Sequence, residues 1–246
     1  MFLNILLLST FVVFVNAAAL PTFITPCSPH SHDIDTCVFN NFEAAKPYLT
    51  KGIPDLDIPS LTHVPIQNSF KKVIPNFEFQ IWNYTVKGLN NYEVLNVNTD
   101  LKNNIFKFQI RIPHLSGNGS YRYKDLFKMD SEDVNVDNMG TIKSFAIDLI
   151  LNLELKTKIV QRNKQIYLEH VDWKIDISRE GPFRVYMTEA YVNKFDFSGL
   201  FDEKYSDILF ELFVPKLKDA IQDLLFDFTD TFFFTYTYNE FFHKLS

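Results

Sequence analysis

The sequence predicts an α+β fold in which one long, curved antiparallel β-sheet is rolled around a long C-terminal helix. Two observations predict it. From about residue 63 to residue 194 apolar side chains recur with a period of two, the signature of strands with one buried face. From about residue 198 the period becomes that of a helix, and its apolar stripe is too broad for a surface helix. The one-faced sheet is the available partner for that stripe.

The chain opens on a segment that belongs to no such element. Residues 1–19 contain no Asp, Glu, Lys or Arg, and the apolar run ends on Asn16, Ala17, Ala18 and Ala19. A short hydrophobic stretch followed by small residues predicts a secretory signal peptide, cleaved near residues 17–19. It is shorter than the roughly 20 residues a membrane-spanning helix needs, so no stable membrane insertion is expected. Residues 20–246 then form a single domain, secreted and extracellular. With 46% hydrophobic residues and 26 Phe, that domain has ample material for a core. The net charge of −6 argues against nucleic acid and anionic membrane surfaces as partners, and says nothing against a neutral apolar ligand.

Both cysteines, Cys27 and Cys37, lie near the mature N-terminus. In an oxidising compartment they predict one disulfide across a short loop, contributing roughly 2–3 kcal/mol. A metal site built from Cys27, His30, His32 and Cys37 matches no familiar zinc spacing. Two sequons place glycans at Asn83 and Asn118.

Residues 35–50 read as a helix, with Asp35 or Thr36 as N-cap, Gly52 as C-cap, and Pro47 kinking it or ending it early. Pro54 and Pro59 make residues 52–61 an extended linker laid over the core. The clearest strand covers residues 143–159. Its odd positions, Phe145, Ile147, Leu149, Leu151, Leu153 and Leu155, face inward, while Ser144, Asp148, Asn152 and Glu154 face water. Shorter alternations pass through Phe106, Phe108, Ile110 and Ile112, through Val171, Trp173, Ile175 and Ile177, and through Phe183, Val185 and Met187. Ile166 and Leu168 have the opposite parity to Trp173, which a bulge near His170 reconciles. Asn118-Gly119 and Glu180-Gly181-Pro182 read as turns between strands. In the late helix, Leu217, Ile221 and Leu224 lie on the apolar stripe and Pro215 should kink it. The tail from Phe232 to Phe242 is too aromatic to float free.

No motif points to catalysis. Gly-x-Ser-x-Gly, His-Glu-x-x-His and phosphate-cradling glycine loops are all missing from the sequence, and the six histidines are scattered. The chain is therefore expected not to be an enzyme, and no catalytic residue, metal or cofactor is assigned. The alternatives to a ligand carrier are a secreted interaction protein with a filled core and a secreted hydrolase. No protein partner can be named from the sequence.

A string of features in one order resembles the takeout and juvenile-hormone-binding family of insects. They are the signal peptide, the Cys27/Cys37 pair, Gly52-Ile53-Pro54-Asp55-Leu56-Asp57-Ile58-Pro59, and Val86-Lys87-Gly88-Leu89. The segment from Phe108 to Tyr121 with Pro113 and Gly119, the late helix with Pro215, and Tyr238-Asn239-Glu240-Phe241-Phe242 complete it. The resemblance implies a super-roll of the TULIP kind, with a tunnel for isoprenoid or fatty ligands. Hormone carriers of the haemolymph have a second disulfide, which two cysteines cannot supply, so the chain is most similar to the takeout-like branch. That branch is associated with feeding, chemosensation and circadian output. The expected tunnel lining comes from Phe106, Phe108, Ile110, Phe145, Ile147, Leu149, Leu151, Leu153, Trp173, Ile175, Leu217, Ile221 and Leu224, each of which could equally be packed core. Tyr167, Tyr191 and Trp173 are the candidates for orienting a polar ligand head.

Overall fold

Strands β5 (Ile105–Met129) and β6 (Glu132–Arg162) form the spine of the molecule, paired antiparallel in one unbroken register from Ile105–Lys156 to Met129–Glu132. The computed structural model describes residues 20–66, 70–74, 77–129, 132–192, 195–196 and 206–242. The predicted signal peptide, residues 1–19, lies outside them. Six shorter strands flank the spine to complete an eight-stranded sheet. On the β5 side are β3 (Phe77–Lys87), itself carrying β1 (Val64–Ile66) and β2 (Phe70–Ile74), and β4 (Glu93–Asp100). On the β6 side are β7 (Gln165–Arg179) and β8 (Phe183–Met187). A further pair, β9 (Tyr191–Val192) with β10 (Phe195–Asp196), forms a small separate ribbon.

Partners change halfway along the spine, and so does the buried face. On β6, Ile142, Ser144 and Ala146 are buried, then Leu149, Leu151, Leu153, Leu155 and Thr157. On β5, Phe106, Phe108, Ile110 and Ile112 give way to Leu115, Tyr121 and Tyr123. The switch is centred on Asp148, which has φ +50°, and on Pro113 across from it. A left-handed residue turns the chain by half a pleat, and proline has no N–H to give the ladder there. The strict alternation expected over residues 143–159 therefore fails at its start: Phe145 is 43% exposed and Ile147 is half-buried.

Other expectations are also corrected. Asn118 and Gly119 are no turn but lie within β5. Glycine is needed at 117 because the Tyr84 ring lies on the backbone there: a Cβ on Gly117 would sit 2.0 Å from the Tyr84 hydroxyl oxygen. Helix α1 (Ile34–Lys51) continues through Pro47, ending at Gly52 as the sequence suggests. Its N-cap is Asp33, while Asp35 reaches across to accept the backbone N–H of Thr99 at 2.6 Å. The proline-rich segment is not extended. A single 3-10 turn at Pro54–Leu56 folds it back so that Ile53 and Ile58 exchange backbone hydrogen bonds of 2.8 and 3.1 Å. Pro54 loses nothing there, because the first N–H of a helical turn has no internal partner.

The long helix α2 (Ser206–Thr235) runs unbroken through Pro215 and extends further into the aromatic tail than expected; a last turn, α3 (Tyr238–Phe241), follows with a Thr237–Glu240 capping box. Along α2 the side chains of Asp207, Phe210, Phe226, Asp230 and Phe234 meet Arg179, His170 and Arg162 in turn. The helix therefore runs antiparallel to β7 and packs on the face where Trp173, Ile175 and Ile177 are buried. The bulge expected near His170 is present, with the register slipping between Lys156 and Thr157 opposite Val171.

Candidate functional site

The two halves of the helix meet different surroundings. Around its N-terminal half, Phe213 and Leu217 pack on Val86, Leu115, Ala146, Leu149 and Phe183 with no room for a water molecule between them. A buried Tyr84–Ser144 hydrogen bond crosses this region, and burial pushes the Tyr84 phenol well above its ordinary range, so it stays neutral. This half is solid core.

Around the C-terminal half the sheet and helix part to leave a cavity of about 220 Å³. The sheet contributes Phe106, Phe108, Leu155, Leu168 and Trp173 as its floor. Helix α2 contributes Leu224, Leu225, Phe228, Thr229, Phe232 and Phe233 at helical spacing along one wall. Helix α1 closes the opposite wall with Val38, Phe42, Ala45 and Leu49, and the Phe42 ring lies 4.5 Å from that of Phe108. The proline-rich turn adds Ile58, Pro59 and Leu61.

The segment before α1 and the last turn after α2 add the rest of the lining. Cys27 donates its backbone N–H to Phe241 at 2.8 Å, and Cys27 is bound to Cys37 of α1. The disulfide therefore fastens the N-terminal segment to α1 at the cavity wall. Phe241 and Phe242 complete the lining, so the aromatic tail is a plug rather than a loose end.

Polar groups at this cavity are few, and most are already satisfied. Among the described residues no titratable side chain lines it. Asn41 uses both ends of its amide on the backbone of Thr25, at 2.8 Å each. Thr229 donates its hydroxyl to the Leu225 carbonyl at 2.7 Å. The indole N–H of Trp173, which is 5% exposed, reaches only Thr229 at 3.4 Å. A bond that long is weak, so the indole is the donor with most to gain from a ligand oxygen.

Of the thirteen side chains expected to line a tunnel, Phe106, Phe108, Trp173 and Leu224 face the cavity. Ile110, Leu149, Leu151, Leu153, Ile175, Leu217 and Ile221 are buried in the core away from it. Phe145 and Ile147 are corrected: with the face inverted before Asp148, they border a surface hollow with Lys87, Asn90 and His114. Of the proposed head-group contacts, Tyr167 lies on the β6–β7 hairpin bonded to Gln165, and the Tyr191 side chain lies outside the described residues. Asn83 and Asn118 are both exposed, and Asn118 pairs with Thr85, two residues beyond Asn83. The sequence reading missed the whole α1 wall. The apolar positions Val38, Phe42, Ala45 and Leu49 have i, i+4, i+7, i+11 spacing and were a legible signal for it.

A family model described as haemolymph juvenile hormone binding protein (JHBP) matches residues 5–243. No curated protein matches the chain by sequence. Among solved structures the chain is similar to Takeout 1 of Epiphyas postvittana, with 14% identity, a TM-score of 0.71, and coverage of 89% of this chain and 99% of that one. A lipopolysaccharide binding protein matches more loosely, at 13% identity and a TM-score of 0.41 over 74% of this chain and 37% of that one.

Proposed function

Because the chain belongs to the haemolymph juvenile hormone binding protein family, we propose that it is a secreted carrier for a small hydrophobic ligand, a terpenoid, juvenile-hormone-like or fatty molecule. Residues 1–19 are its signal peptide and residues 20–246 its single ligand-binding domain. The observation that carries this reading is the apolar cavity at the C-terminal half of α2, lined by the sheet, helices α1 and α2, the proline-rich turn, and the segments before α1 and after α2. A packed interior leaves few voids larger than a water molecule, so a hollow of this size with an aliphatic and aromatic wall is a built feature.

The cavity sets the cargo. At about 30 Å³ for each water-sized group, 220 Å³ holds about seven such groups, which suits a compact terpenoid or a medium-length chain. Burying seven to ten methylene-sized groups gains roughly 6–8 kcal/mol before the losses of association, which supports affinities in the micromolar range. A carboxylate would find no cation in the described wall, so the ligand is neutral, with at most one or two acceptor oxygens. Trp173 supplies the donor for such an oxygen. Binding is the activity this wall supports: among the described residues it is apolar but for Asn41 and Thr229, both engaged with backbone carbonyls.

The test is stoichiometric binding of a fluorescent apolar probe, competed by a neutral terpenoid ester and by the matching acid. The ester should displace the probe at least tenfold more effectively. Ala45→Phe, which puts a ring into the cavity, should abolish probe binding, whereas Leu217→Met in the solid half should leave it unchanged. Binding that survives Ala45→Phe would move the ligand elsewhere and end this reading.

A further inference from the structure

The hairpin joining β6 to β7 leaves the body of the sheet. Strand β5 ends opposite Lys156, so residues 158–169 form a ribbon in which β6 and β7 pair with each other alone, around a tight turn at Asn163 and Lys164. The net charge of −6 conceals what this ribbon and its base carry: Lys156, Lys158, Arg162 and Lys164 against two acids, Glu169 and, across from Lys156, Asp172. Glu169 bridges Lys158 and Arg162, while no ion pair involves Lys156 or Lys164 among the described residues.

The same ribbon exposes apolar side chains. Ile159 is 52% exposed and Ile166 40%, Val171 at the base of the ribbon 48%, and Phe234 at the end of α2, against Arg162, 74%. The Arg162 guanidinium lies between two rings, 5.3 Å from Phe234 and 5.4 Å from Tyr167. The ribbon is continuous with the cavity: Ile159 pairs directly with Leu168, and residues so paired share a face, so the exposed Ile159 continues the wall that Leu168 gives the cavity.

We propose that this hairpin, together with Phe234, is a docking surface for a negatively charged lipid bilayer. Lys158 and Arg162 lie on one face of the ribbon and Ile159 and Ile166 on the other, so its tip presents both basic and aliphatic side chains, the chemistry of the bilayer interface, where stems and rings sit at head-group depth and the charged ends meet anionic lipid. The charge distribution favours this partner over a symmetric pair of copies meeting through this surface, because two such hairpins repel each other. Before an anionic surface the body is repelled and the hairpin attracted, which brings the molecule in hairpin first. The contact is superficial, and no described helix is long and apolar enough to cross a membrane. The inference rests on charge and exposure and goes beyond the carrier reading, to which it would add a route from bilayer to cavity.

The experiment is co-sedimentation of the full secreted chain with phosphatidylcholine vesicles, with and without phosphatidylserine, at rising salt. The chain should bind the phosphatidylserine vesicles and release them as salt rises. Each basic residue near an anionic bilayer is worth about fivefold in binding, so Lys156→Gln/Lys164→Gln should weaken it about 25-fold at low salt. Ile166→Ser should weaken it at every salt concentration. Probe binding in solution, without vesicles, should be unchanged in both variants, which separates failure of docking from failure of the carrier reading. Equal binding to both kinds of vesicle, undiminished binding by the lysine variant, or a dimer dissolved by Ile166→Ser in place of vesicle binding would each overturn the proposal.

Discussion

Tyr84 and Ser144 are buried side chains sixty residues apart that satisfy each other in the solid half of the core. Tyr84→Phe leaves the serine hydroxyl buried without its partner and should cost about 1–3 kcal/mol in urea denaturation, part of which Ser144→Ala should restore in the double variant. Nothing in the sequence couples these positions; the pair exists because β3 and β6 approach from either side of β5. Phe145 and Leu151 make the complementary point. Both are odd-numbered apolar residues of one strand, and alternation alone puts them on one face. The left-handed backbone at Asp148 separates them. Phe145→Arg should change the unfolding free energy by less than about 1 kcal/mol, whereas Leu151→Arg should cost more than about 4 kcal/mol or prevent folding, because it buries an unpaired charge. Equal effects would show that the face does not invert.

Among the elements, the β6–β7 hairpin has a local conflict between residue type and backbone. Asn163 and Lys164 both hold positive φ, at +49° and +66°, in a two-residue turn for which Asn-Gly is the favoured pair. Lys164→Gly removes the left-handed cost for a side chain and should raise stability by about 0.5–1 kcal/mol, seen as a higher thermal midpoint. No rise would mean that glycine's greater freedom in the unfolded chain cancels the gain. Helix α1 was legible as a helix from its N-terminal capping candidates and its terminal glycine, and Pro47 did not end it. The lost hydrogen bond is outweighed because Ala45 and Leu49, on either side of the proline, pack against Ile58, Phe232 and their neighbours. The proline-rich segment was legible as irregular, yet its backward fold was not, since that depends on Ile58 finding the pocket beside Phe232 and Tyr236.

At the scale of the molecule, the outer face of the sheet is a lattice of cross-strand charges. Glu154 of β6 lies between Lys174 of β7 and Lys107 of β5, at 2.8 and 3.3 Å. Hydrogen bonds from Lys174 and then Lys107 hold its carboxyl below the usual glutamate range, and Lys158 and then Arg162 do the same for Glu169. Groups lowered in the folded state contribute in full above the free glutamate value of 4.5 and lose that contribution as pH falls through their folded values. Stability should therefore be level from about pH 7 to pH 5 and decline steadily below pH 4.5 in a series of denaturant titrations, less steeply in Glu154→Gln. The sequence by itself determined the sheet, the long helix, their mutual burial and the disulfide pair, because period-two and period-3.6 patterns are local and each face must find an apolar partner. The tertiary structure alone decided where that interior is solid and where it is hollow. Which face a residue presents before Asp148, and which distant walls α1, the folded proline turn and the aromatic plug supply, follow from how the roll closes, and no local pattern records the space left between surfaces that meet only in the folded chain.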